Sequence, residues 1–147
     1  MAKGKKQDEQ MNGKERRTEI HFFLPMRLPN VTHQEQKVAI RAGRPVFYFP
    51  PELRAAQGKF LSALAPYRPE EPLAGPVRLM VKWCYRANDQ HPPGWKTTKP
   101  DTDNLIKLFK DCLTKTGFFH DDAQVASEIN EKFYDAHEGI FVRMEVL

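Results

Sequence analysis

Cysteine is scarce in this 147-residue chain: there are two, Cys84 and Cys112, both among apolar neighbours, where an unpaired buried thiol is the expected state. Two thiols exclude a disulfide framework. The five histidines, His21, His33, His91, His120 and His137, are scattered, and no His–Cys grouping has the spacing of a zinc site. Any metal must therefore be held by oxygen. No apolar run approaches the roughly 20 residues of a membrane-spanning helix, so no membrane span is expected. Residues 1–17 carry Lys and Arg without the apolar stretch that follows them in a secretory signal, and a cytoplasmic address is expected. No internal repeat is present.

What is present suits one folded domain. With 40% hydrophobic and 29% charged residues, the composition is that of a globular chain long enough to bury a core without staples. The net charge of +4 and pI of about 9.1 suggest an acidic partner such as nucleic acid. The charge is unevenly placed, however. Residues 1–17 hold six basic and three acidic residues, leaving a nearly neutral body of 17 and 16. That polar N-terminus reads as a disordered basic arm, and residues 18–147 as a single domain. Within the body, residues 78–115 carry eight basic residues against four acidic ones.

The apolar periodicity predicts an α+β fold: a mainly antiparallel mixed sheet with two principal helices on one face. A first strand covers Glu19 to Leu24. A hairpin is expected from residues 32–41 and 45–49 around Ala42-Gly43-Arg44. Pro51-Glu52 opens a helix over about 51–65. Val77, Leu79, Val81, Trp83 and Tyr85 alternate with Arg78, Lys82 and Arg86, giving a half-buried strand with a basic outer face. Residues 87–100 form a long connection, more often functional than inert, in which Trp95 either stacks on a base or tucks against the core. Leu105, Leu108, Phe109, Cys112 and Leu113 mark the clearest helix, which Gly117 stops. Segments 124–134 and 140–147 read as a closing hairpin.

Chemistry concentrates around that helix. Asp101-Thr102-Asp103 stands at its start, where carboxylates commonly cap free N–H groups. At about 100° per residue, Asp103, Lys107 and Lys110 share a stripe opposite the apolar one, and Asp103 with Lys107 has the spacing of a weak surface ion pair. A second acidic pair, Asp121-Asp122, follows the reversal at Gly117, with His120 beside it as a surface turn residue. Clustered aspartates repel one another and so favour a cation.

The stretch Asp101-Thr102-Asp103-Asn104-Leu105-Ile106-Lys107, followed by Leu113-Thr114-Lys115-Thr116-Gly117-Phe118-Phe119-His120-Asp121-Asp122-Ala123-Gln124-Val125, resembles the signature of the RusA family of Holliday-junction resolvases. The likeness is strong from about Pro100 to Val125. It implies a RusA-like fold and a metal-dependent endodeoxyribonuclease that resolves four-way junctions by paired phosphodiester hydrolysis in recombination and repair. It also implies that Asp101, Asp103 and Asp122, with Asp121 alongside, bind Mg²⁺, for which Mn²⁺ can substitute, and that Lys107 is the catalytic lysine. Arg78, Lys82, Arg86, Trp95, Lys96, Lys99 and Lys110 are the candidates for gripping DNA. Some family members run several arginines up to the first aspartate; here the approach is Lys96-Thr97-Thr98-Lys99-Pro100. A two-fold junction and one carboxylate cluster per chain point to a homodimer, with a sheet edge or the helix near Leu108 as the interface. The competing reading is a non-catalytic DNA-binding accessory protein of recombination, which the local basic bias alone supports. A phosphatase of the haloacid dehalogenase type is disfavoured, because its Asp-x-Asp closes an apolar strand and Lys96 to Pro100 is no such strand.

Overall fold

The computed structural model describes residues 18–29, 37–48 and 50–147. The expected arm at 1–17, residues 32–36 of the expected hairpin and Phe49 lie outside the described residues. Strand β1 (Glu19–Pro25) buries Ile20, Phe22 and Leu24 on alternate positions. Strands β2 (Lys37–Arg41) and β3 (Arg44–Tyr48) form a separate two-stranded sheet. Its turn residues Ala42 and Gly43 both have positive φ, 52° and 73°, the geometry that matches strand twist in a two-residue hairpin. Helix α1 (Pro51–Leu64) begins with proline at its first position, where no N–H is needed, and a short 3₁₀ turn, Ala65–Tyr67, extends it.

Strand β4 (Val77–Arg86) matches the predicted boundaries, and the connection after it contains a two-residue strand, β5 (Gly94–Trp95), that the sequence did not announce. Helix α2 (Thr102–Thr116) ends at Gly117 in the left-handed region, φ 97°. Phe118 turns back there: its N–H donates to Leu113 O at 3.0 Å and its ring is fully buried. A 3₁₀ turn (Asp122–Gln124), strand β6 (Val125–Asp135) and strand β7 (Gly139–Val146) complete the chain.

The main sheet has the order β1-β7-β4-β6-β5, with β4 and β6 parallel and the other neighbours antiparallel. The predicted fold class therefore stands, but the closing hairpin does not. β6 and β7 are adjacent in sequence yet flank β4 on opposite sides. Residues 136–138 need only cross two strand spacings, roughly 10 Å, which three residues span easily. Pairing β4 on both edges satisfies the backbone of the most buried strand, which a β6–β7 hairpin would have left half unpaired.

One hydrophobic cluster joins α1, α2 and one face of the sheet. Its centre is aromatic: Phe60, Trp83 and Phe109 meet edge-on, with ring centroids 5.2 to 6.1 Å apart, a geometry favoured by the ring quadrupoles. Leu108 is buried in this core, which removes it as a candidate dimer contact. Cys84 and Cys112 are buried and free, as expected.

Candidate active site

At the start of α2, Asp101 occupies the cap position with extended backbone (φ −72°, ψ 150°), and its carbonyl accepts the first helical bond from Leu105 N–H at 3.2 Å. Its carboxylate makes no capping hydrogen bond. The ordinary use of an acid at this position is thus not what the fold makes of it. Neither is the i, i+4 pair formed: Asp103 and Lys107 are exposed, and neither has a side-chain partner among the described residues. Three charged groups on one helix end remain uncommitted.

The end is fixed by other means. Trp83 is fully buried, so its indole N–H needs an acceptor; Asn130 Oδ1 accepts it at 2.6 Å. The Asn130 Nδ2 then donates to Thr102 O at 2.7 Å. Lys132 Nζ donates to Thr98 O at 2.7 Å and to Pro100 O at 2.8 Å. These two side chains of β6 were not singled out from the sequence. Their alternation was visible, but nothing in it says that the polar face of β6, and not the face carrying Ile129 and Phe133, turns toward α2.

The second acidic pair is held as firmly. Asp121 Oδ1 accepts Ala123 N–H at 2.9 Å. Gln124 Oε1 accepts the N–H groups of His120 and Asp121, at 2.8 and 3.1 Å, while its Nε2 donates to Leu73 O and Gly75 O, both at 3.0 Å. Gln124 therefore pins the turn to the segment before β4, another role the sequence did not disclose. The Ala123 N–H and a hydrogen bond from Asp122 hold the Asp121 carboxyl below its usual range. Asp122 is pushed the other way, first by partial burial, then by its hydrogen bond to Asp121 and by the charges of Asp111 and Asp121, against which Lys110 acts. The opposite directions are those of two adjacent carboxyls that interact, the more buried one being the harder to ionise.

Those neighbours locate Asp122 beside the third turn of α2, seven residues and about 10 Å along the axis from Asp103. The stripe Asp103–Lys107–Lys110 leads from one acidic group to the other, with Lys107 between them. Lys110 itself pairs with Glu128 at 2.9 Å. Among the described residues no group of three or more His, Cys, Asp or Glu side chains is gathered closely enough to hold a metal ion. The site thus consists of two carboxylate pairs on one helix face, joined by a lysine. As a donor set it is all oxygen, the kind that hard divalent cations take.

The family model for endodeoxyribonuclease RusA matches residues 25–145. The chain belongs to the RusA family. It is also similar to a crossover junction endodeoxyribonuclease of Lactococcus phage r1t, 34% identical over 62 residues, or 39% of this chain and 47% of the phage protein. The chain thus matches about half the length of that relative.

The DNA-binding candidates divide by sheet face. Arg78, Lys82 and Arg86 project from β4 on the side away from α2. There Arg78 is paired with Glu145 at 2.8 Å and bonded to Ser127 at 3.1 Å, and Lys82 lies over the Phe141 ring at 5.8 Å. Arg86 is exposed beside Asp135, His137 and Glu138. On the helix side, Lys96 Nζ donates to Thr98 Oγ1 at 2.6 Å and to the Tyr134 hydroxyl at 3.0 Å, between the rings of Tyr85 and Tyr134. Lys99 is exposed; Trp95, 68% exposed, lies on the face away from α2, its ring 4.4 Å from that of its strand partner Phe133. The reading that tucks Trp95 against the core does not hold: it leans only on Phe133, outside the hydrophobic cluster, and is otherwise exposed. Among the described residues no helix is long and apolar enough to cross a membrane.

Proposed function

We propose that this chain is a divalent-cation-dependent endodeoxyribonuclease that resolves four-way DNA junctions, acting as a homodimer with one strand cut by each subunit. The observation that carries the reading is the uncommitted Asp101, Asp103 and Lys107 at the start of α2, in a chain of the RusA family. A fold that needed these groups for stability would engage them.

Asp101, Asp103 and Asp122, with Asp121, are the oxygen donors that would hold Mg²⁺ or Mn²⁺, although in this structure the two pairs stand apart along α2 and are not gathered round one point. Bound there, the ion supplies neutralisation of phosphate charge and activation of the attacking water. Lys107, exposed between the two acidic groups, meets the scissile phosphate as a point charge. Lys99, exposed on the approach to Asp101, is placed to meet backbone phosphate.

The test is cleavage of a synthetic four-way junction alongside a binding measurement. Asp103→Asn is expected to bind the junction at least as tightly as the parent and to cut it undetectably, and EDTA is expected to abolish cutting by the parent. Full turnover by Asp103→Asn, or in EDTA, would sink the reading, and binding without any cutting by the parent would favour the accessory protein.

A further inference from the structure

We propose that Lys132 is a positioning residue, which with Asn130 sets the direction of the Asp101 carboxylate by clamping the chain on both sides of it. The inference deepens the function proposed above and rests on the cation-dependent reading. Lys132 Nζ holds the carbonyls of Thr98 and Pro100, at 2.7 and 2.8 Å, and Asn130 Nδ2 holds the carbonyl of Thr102 at 2.7 Å. Asp101 lies between the outer two of these fixed points.

The clamp is anchored in the core. Asn130 cannot swing away from Thr102 without leaving the Trp83 indole N–H, fully buried, without its acceptor. Lys132 is tied through its backbone as well, since its carbonyl accepts Lys96 N–H at 3.0 Å. It is half-buried, and two of its three ammonium protons go to backbone carbonyls. No carboxylate among the described residues pairs with it. A lysine whose charge served only folding or solubility would pair with an acid or extend into water. This one is spent on the geometry of five residues. Because Asp101 makes no capping bond of its own, its aim depends on that backbone, much as outer groups orient the ligands of a metal.

Lys132→Met separates positioning from charge, because the two have opposite signs. Losing a nearby cation would by itself tighten binding of Mn²⁺, whereas losing the clamp weakens it. Calorimetric titration of the full chain with Mn²⁺ alone is expected to give affinity weaker by on the order of ten-fold for Lys132→Met. Lys132→Arg, which can still donate to two carbonyls, should stay within about three-fold of the parent. Amide hydrogen exchange of residues 98–105 should speed up in Lys132→Met and not in Lys132→Arg. Unchanged or tighter Mn²⁺ binding by Lys132→Met overturns the proposal. If the parent itself binds no Mn²⁺, the cation-dependent reading is what fails, and hydrogen exchange alone then judges the clamp: unchanged exchange in Lys132→Met overturns it.

Discussion

Lys107 shows how much a single residue's surroundings say about its work. It is exposed, one turn from Asp103, and joined to no partner among the described residues. Removing its ammonium therefore leaves nothing buried unpaired and breaks no hydrogen bond. Lys107→Ala should shift the melting temperature by less than about 2 °C while lowering the single-turnover cleavage rate by about 100-fold, the usual scale for one group that stabilises developing charge. A comparable loss of stability and rate would return the residue to a structural role. Cys112 is the opposite case. Its thiol is fully buried on α2, with Gln57 O as its 3.9 Å acceptor, and burial pushes its pKa from an ordinary 9.0 up to about 12. The native thiol should resist alkylation at pH 8 and react only on unfolding. Because the folded pKa is raised, the stability linked to this proton is complete below pH 9 and is lost as pH climbs from 9 toward 12. Denaturant melts across that range should show the decline, and a Cys112→Ala variant should show less of it.

At the scale of elements, the site depends on β7 lying between β1 and β4. The strand enters this position at Gly139, opposite Pro25. A Cβ at residue 139 would overlap Leu24 O and the edge of the Phe23 ring. The carbonyl belongs to the β1 backbone and cannot give way without disturbing the β1–β7 register. Gly139→Ala should thus cost about 2–3 kcal/mol, the upper range for overpacking, measurable as a lowered urea midpoint with unchanged slope. A variant as stable as the parent would mean that β1 tolerates a shift at this end. The same logic of shared backbone explains the α2 start. The helix is held there by the β6 side chains Asn130 and Lys132 rather than by its own cap, which leaves the cap carboxylate available.

The whole molecule presents two dissimilar faces. One is covered by α1 and α2 and carries the aspartates; the other is an uncovered sheet, where half-buried Phe23, Ile129, Phe133 and Phe141 stand among Arg78, Arg143, Glu19 and Glu145. A junction offers two equivalent strands, and one chain offers one site, so the proposed activity requires two copies related by a two-fold axis. Light scattering at micromolar concentration should report a particle of about 34 kDa, twice the 17.1 kDa chain. A 17 kDa particle that still makes paired incisions would refute the dimer.

Local order was readable from residue types alone. The alternation of β4, the apolar stripe of α2 and the stop at Gly117 all follow from side-chain period and from glycine's access to positive φ, so these elements fall where the sequence predicts them. The Asp101-to-Lys107 and Asp121–Asp122 groups were likewise visible as a family resemblance. Three things were not. The partner of β7 was hidden because a short turn is compatible with either pairing, and only the gain from burying β4 between two neighbours selects one. The inward face of β6 was hidden because Asn130 and Lys132 look like solvent-facing residues until Trp83 and the carbonyls of Thr98, Pro100 and Thr102 supply their partners. The spacing of the two acidic groups along α2 was hidden because it depends on Gln124 reaching Leu73 and Gly75, some 50 residues away in sequence. Sequence alone determined which groups are present and on which local face they stand. Contacts between residues distant in the chain decided what each group is left free to do.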